Sequence, residues 1–357
     1  MRFAPTEDQI DFRDAVRGLL ADTCPPDAVR AAWREQVGEV PGGGDGRVRA
    51  AWDALAEMGV LGVMVPEGSG GLGLTDEDIV PLLVECGRAA LPDPVSSTAY
   101  VAAGLLRENP GRSTEALLAR IAEGSATVLV GFPGSPYLTA AETADVFLMC
   151  DRGEVHELTR SEVTLEPVTS VDGARALCRV EWEPSDRSVI VGGFDGSQAV
   201  TRAFDRAALG AAAQLVGLGE RMLDLTVGYA AERKQFGVAI GTFQAVKHHL
   251  ADVFTAIEFA KPVLYRAAAA LATKDASASA RVAHAKLVCG DAALLAARKG
   301  IQVHGAMGYT WEVDLQMFMK RAWALNAAWG DRAFHQERLT TALLADQAPL
   351  GPGATFH

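Results

Sequence analysis

The sequence predicts an α+β multidomain fold in three parts. These are an N-terminal helical unit over 1–124, a small antiparallel β unit over 125–196 and a C-terminal four-helix bundle over 197–357. Three observations carry that prediction. Capped helical periodicity fills the first third. Between 126 and 193 it gives way to short apolar, β-branched runs separated by turn residues. After residue 200, Ala and Leu dominate and long helical pattern returns.

Thr6 and Gln9 have capping-box spacing, and Phe12, Val16, Leu19 and Leu20 then recur on one helical face. GEVPGGGDG (38–46) reads as a loop. A helix follows over 47–60, with Trp52, Leu55 and Met58 in one stripe. LGVMVPEGSGGLGL (61–74) is an apolar run ending in a glycine-rich turn. Thr75 opens a helix over 75–90, and two more fit 98–107 and 113–123. Strands are expected at 126–132, 144–150, 162–168, 176–182 and 187–193; without helical crossovers they favour an antiparallel sheet or barrel. Bundle helices are expected at 198–232, 243–273, 277–304 and 313–345, with Phe243, Val246, Leu250 and Val253 as a core stripe on the second.

Composition excludes several function classes. Hydrophobic residues at 49% and charged residues at 22% are the balance of a globular protein. A net charge of −12 gives no general attraction for a nucleic-acid backbone. The five cysteines lack CxxC spacing, so neither a disulfide framework nor a zinc site is expected, and a reducing cytoplasm fits best. The start, MRFAPTEDQIDF, has no apolar segment of a signal peptide, and no apolar run has the length of a membrane span. The histidines at 248, 249, 284 and 304 read as packing or surface residues rather than metal ligands, and Ser135 has no His–acid pattern beside it.

Three stretches carry chemistry together. AERKQFGVAIGTFQAVKHHLADVF (231–254) presents Arg233, Gln235 and Phe236 in a loop, then Gln244 at a helix start. A guanidinium fork and free helix-terminal amides suit a pyrophosphate. GIQVHGAMGYTWEVD (300–314) supplies Gln302 and lets backbone approach a ligand at Gly305 and Gly308. GVMVPEGSGGLGLTDEDIV (59–80) is the third. Taken singly, each has a plain explanation: a solvated charge, a helix cap, a turn. No βαβ unit precedes GGLGL, which removes a Rossmann reading.

In this order the three stretches resemble the acyl-CoA dehydrogenase family, over nearly the whole chain. RKQFGVAIGTFQAVKHHLAD is the strongest match, with VPEGSGGLGL and QVHGAMGYTWE beside it. The resemblance implies FAD, an acyl-CoA substrate, α,β-dehydrogenation, and an electron-transfer flavoprotein or similar acceptor. It also implies that Arg233, Gln235, Phe236, Gln244, Gln302 and Gly305 touch the adenine and pyrophosphate of FAD held mainly by a neighbouring subunit. Ala306 stands where a second glycine is usual.

The family's carboxylate base is missing from both its usual places. One holds Trp329, followed by Gly330 and Asp331; the other falls near Ala207. A base is expected because the α proton must leave as hydride leaves the β carbon. Asp205, Glu312 and Asp331 are the remaining weak candidates, and the leading expectation is that none serves. The β unit is shortened, and GFPGSPYLTAAETADV (131–146) keeps Gly134 and Ser135 without the usual flavin-loop Asp. The family includes heteromers in which a degenerate chain pairs with a complete one, similar to those acting on steroid side chains and other bulky acyl-CoAs in actinobacteria. That is the expected role. A self-sufficient homo-oligomeric dehydrogenase with an unusual base, a flavin-dependent monooxygenase or oxidase, and a non-enzymatic acyl-CoA-binding scaffold remain alternatives.

Overall fold

The computed structural model describes residues 5–34 and 43–345, so most of the loop expected at 38–46 lies outside the described residues. Thr6 caps α1 (Glu7–Thr23) reciprocally: its hydroxyl accepts from the Gln9 N–H at 3.2 Å, and its own N–H donates to Gln9 Oε1 at 3.0 Å. Val16 and Leu20 turn fully inward from that helix, Phe12 and Leu19 partly. Next come α2 (Pro26–Ala31), α3 (Arg49–Glu57) and α4 (Asp76–Arg88). Trp52 and Leu55 of α3 are buried, and Thr75 caps α4 as its position implies.

The helix expected at 98–107 starts earlier, as a π-helical segment, Ser96–Ala102, running into α5 (Ala103–Glu108). This wide turn meets β1 (Val128–Gly131) through hydroxyls. Thr98 Oγ1 donates to Val128 O at 2.9 Å and accepts from Val128 N at 3.1 Å, and Ser97 Oγ accepts from Val130 N at 3.2 Å. Helix α6 (Arg112–Ala122) completes the N-terminal helices.

The described strands of the middle region number seven, two more than expected. After β1 come β2 (Tyr137–Thr139), β3 (Val146–Asp151), β4 (Glu154–Thr159), β5 (Thr164–Pro167), β6 (Leu177–Glu181) and β7 (Val189–Val191). One sheet runs β1-β3-β4-β7 and the other β2-β6-β5. The β1–β3 pair is parallel, which corrects the purely antiparallel expectation. The chain between them detours through β2 in the second sheet, which gives the crossover a parallel pair needs. The unforeseen strands lack a conspicuous apolar run: β2 has three residues, and β4 reads EVHELT.

The C-terminal bundle contains α7 (Gly193–Glu232), α8 (Gln244–Ala272) and α9 (Ala278–His304), with a small hairpin, β8 (Lys234–Gln235) and β9 (Val238–Ala239), between the first two. The single helix expected at 313–345 is two, α10 (Leu315–Ala327) and α11 (Arg332–Leu343). Between them Trp329 and Gly330 have φ of 58° and 89°, which α-helix excludes. Asp331 then caps α11, accepting from Phe334 N at 2.9 Å. The stripe expected on α8 also needs correction. Val253 is buried, but Val246 and Leu250 are half-buried and Phe243 is exposed. Periodicity identifies a face that favours burial, not the chain that will cover it.

Helix α4 crosses α7 at near-contact backbone distance. A Cβ on Gly87 would sit 2.1 Å from Gln214 O, and one on Gly217 would sit 1.9 Å from Val84 O. A buried ion cluster fixes the same junction: Arg206 lies 3.0 Å from Asp76 and 2.7 Å from Glu108, and Tyr100 Oη donates to Asp76 at 2.9 Å. No helix among the described residues is long and apolar enough to cross a membrane.

Candidate functional site: an outer half-site and an inner cleft

The antiparallel run of α7, α8 and α9 brings the 231–254 and 300–314 stretches to one end of the bundle. Arg233 ends α7, its N–H donating to Tyr229 O at 2.8 Å. The hairpin then turns at Phe236 and Gly237, both with positive φ (52° and 82°), as a two-residue hairpin with primed geometry requires. Gln244 opens α8, whose N-terminus has no side-chain cap and so presents free amides. The end of α9 is pinned alongside: Tyr229 stacks on His304 at 4.2 Å, and Lys299 Nζ lies 2.8 Å from His249 Nδ1 on α8. Gln302 and Gly305 therefore face the same end as Arg233. Gly305 has φ 62° with open space where a Cβ would be.

All six of these residues are exposed, Phe236 at 93%. Arg233 has no ion pair, and Gln235, Gln244 and Gln302 make no side-chain hydrogen bond, among the described residues. Tyr309, in the turn after α9, adds exposed aromatic surface, and Phe254 and Phe259 are exposed farther along α8.

The second region is internal. A cleft of about 630 Å³, counting its open mouth, lies between the π-helical segment, β1, β2, α7 and α10. Ala207 and Trp329 both line it. The Trp329 ring packs edge-on against Phe132 at 5.6 Å, Phe132 against Phe204 at 5.4 Å, and Phe204 against Phe334 at 5.5 Å. The backbone that presents Trp329 is clamped from behind. Lys286, buried on α9, donates to Asn326 O at 2.8 Å and reaches Gly330 O at 3.4 Å. His335 Nε2 lies 2.9 Å from Trp329 O, so its neutral ring carries the proton on Nε2. Burial lowers the Lys286 pKa to about 8 and the His335 pKa to about 4.

The carboxylates weighed as bases lie elsewhere. Asp205 turns to Ser279 Oγ at 2.6 Å and Arg338 at 2.5 Å; burial raises its pKa, against the opposing pull of Arg338. Asp331 caps α11 beside Lys286, Asn326 and His335, in a separate crevice. Glu312 is exposed in the turn after α9. Asp93 is the carboxylate that lines the cleft, and it is occupied by Arg47 and by the Val48 N–H at 2.8 Å.

Residues 6–124 match the acyl-CoA dehydrogenase N-terminal domain and 195–344 its C-terminal domain. The chain is 33% identical to acyl-CoA dehydrogenase IpdE2 of Mycobacterium tuberculosis over 320 residues, 89% of this chain and 92% of that one. The chain belongs to the acyl-CoA dehydrogenase family. It is 32% identical to acyl-CoA dehydrogenase FadE34 of the same organism, covering 94% of this chain but 48% of that longer one. Its fold matches the ChsE4–ChsE5 complex from Mycobacterium tuberculosis with a TM-score of 0.82 at 21% identity, over 99% of this chain and 100% of that one. It matches butyryl-CoA dehydrogenase from Megasphaera elsdenii with a TM-score of 0.82 at 18% identity, over 96% and 100%.

FAD is the cofactor that family membership implies. The outer end offers donors whose chemistry suits a nucleotide pyrophosphate: a guanidinium without an ion pair among the described residues, three amide side chains, open helix amides and a glycine with space around it. The 131–146 stretch fits a flavin ring poorly. Gly134 has open space, but Phe132 is drawn into the aromatic cluster with Trp329. Lys286 and His335 were not foreseen from the sequence. Their only signal was a lone Lys and a lone His in apolar or mixed helical stretches, which does not point to the carbonyls they hold.

Proposed function

We propose that this chain is the cofactor-completing, base-free subunit of a hetero-oligomeric acyl-CoA dehydrogenase. Its partner is a related subunit that holds the flavin ring and the carboxylate base. The observation carrying this reading is the division between the two regions. Every residue assigned to the adenine and pyrophosphate half is exposed and open at one end of the bundle. Both family positions for the base, Ala207 and Trp329, line a cleft whose carboxylate, Asp93, is already paired.

Bound FAD supplies the two-electron oxidation of the thioester. This chain's part is binding and orientation. Arg233 would hold the pyrophosphate through its guanidinium fork, and the free amides at the start of α8 would add positive potential. Gln235, Gln244 and Gln302 would donate to the nucleotide, Phe236 would cover it from the hairpin tip, and Gly305 leaves room for close backbone approach. The acyl-CoA substrate is of a bulky, steroid-derived class, reached in the cytoplasm, with an electron-transfer flavoprotein or similar acceptor taking the electrons. A fold neighbour described as a steroid acyl-CoA dehydrogenase, Tcur3481–Tcur3483, and the two-chain ChsE4–ChsE5 complex support that class and the pairing.

The test is flavin absorbance of the purified chain, alone and co-expressed with the acyl-CoA dehydrogenase-like product of an adjacent gene. The expected result is a colourless chain alone and a yellow, active complex with fewer FAD than chains. Stoichiometric FAD and dehydrogenase activity in the chain alone would overturn the reading and make Asp205, Glu312 and Asp331 the residues to replace in turn.

A further inference from the structure

The inner cleft carries a charge that the subunit role leaves unused. Arg175, just before β6, lines it with its Nε donating to Thr139 Oγ1 at 3.3 Å. That is its one side-chain hydrogen bond among the described residues, and it has no ion pair among them. The nearest acid, Asp172, is committed to Arg321, which also donates to Leu91 O at 2.8 Å. Asp93 is committed to Arg47. Of the three charged residues that line the cleft, Asp93 and Arg321 are therefore each paired with a residue behind the wall, and Arg175 is left as a positive charge without an ion pair among the described residues.

The other polar linings are compatible with an acceptor ligand. Gln214 donates to Gly210 O at 3.3 Å, and the Ser97 hydroxyl is held by the Val130 N–H. Apolar side chains make up much of the rest of the lining, among them Val101, Leu129, Leu138 and Trp329. A partly buried cation without a counter-ion is costly, and burial lowers the Arg175 pKa accordingly.

We propose that this cleft is a binding site for a carboxylate with a compact apolar body, its carboxyl group held on Arg175. A planar fork matches a carboxylate in two parallel hydrogen bonds, and the apolar wall receives the rest of the ligand. The chemistry differs from that of the nucleotide half-site, and it does not rest on the subunit reading.

The experiment uses the full chain, alone and in its complex, with thermal shift and calorimetric titration. Cyclohexanecarboxylate is the probe; cyclohexanemethanol and inorganic phosphate are the controls. Cyclohexanecarboxylate is expected to raise the Tm and titrate at one site, with neither control doing so. Arg175→Gln, which keeps a donor for Thr139, is expected to weaken the carboxylate at least about tenfold. No binding of the carboxylate, equal binding of the alcohol or of phosphate, or unchanged affinity in Arg175→Gln would each overturn the proposal. The comparison of acid with alcohol in the unsubstituted protein decides it even where the variant does not fold. Flavin content is not a readout here, so failure of this site and failure of the proposed function are distinguishable.

Discussion

The outer end of the bundle and the inner cleft make opposite use of polar side chains. At the outer end Arg233, Gln235, Gln244 and Gln302 are exposed and unpaired among the described residues. Around the cleft the charges other than Arg175 are matched inside the chain: Arg321 with Asp172 and Arg47 with Asp93. Self-satisfied groups contribute to this chain's own stability. Unsatisfied exposed groups contribute nothing until something binds them. Substitutions in the two regions should therefore be read out by different measurements.

The largest effect is expected at the cleft wall. Asp172→Asn leaves the buried Arg321 without its counter-ion and should cost about 3–5 kcal/mol in urea unfolding. A loss below about 1 kcal/mol would mean that solvent already screens the pair, and the contrast with the outer end would fail.

Next comes a pH effect at the clamp behind Trp329. The unfolded chain protonates His335 near its ordinary pKa of 6.5, whereas the folded ring resists protonation down to about 4. The unfolded state thus binds more protons across that window. The neutral ring's contribution is complete above about pH 6.5 and is lost as pH falls toward 4. The loss is on the order of 3 kcal/mol, because each tenfold drop in proton affinity is worth about 1.4 kcal/mol. Unfolding free energies of the parent and of His335→Gln, measured across that range, should converge as pH falls. Parallel curves would remove His335 from the account.

The smallest stability effect is expected outside. Arg233→Ala and Phe236→Ala should change the unfolding free energy of the isolated chain by less than about 0.5 kcal/mol. Arg233→Ala should nevertheless lower the FAD retained by the complex. Destabilisation of the isolated chain by more than about 1 kcal/mol would show that Arg233 serves this chain's fold rather than a ligand.

Local signals in the sequence were sufficient for much of the architecture. The Thr6–Gln9 and Thr75 caps, the helix–sheet–bundle order and the position of the hairpin before α8 each depend on neighbours a few residues apart. The parallel β1–β3 pair, the π-helical turn at Ser96 and the break at Trp329 do not. They follow from strand crossing, hydroxyl contacts with β1, and the clamp formed by Lys286 and His335 from two other parts of the chain.

The same division runs through the candidate site. By itself, the sequence determined which residues could meet a nucleotide, because helix ends, glycines and a guanidinium carry their chemistry locally. It also led to the expectation that the family's two base positions fall at Trp329 and near Ala207, without a carboxylate at either. Only the tertiary structure decided that both line one cleft, that Asp205 and Asp331 turn to other partners, and that Arg175 is left with a surplus charge there. The physical reason is that a charge's role depends on what surrounds it. For Arg175 those surroundings come from segments as far apart in the chain as Ser96 and Trp329.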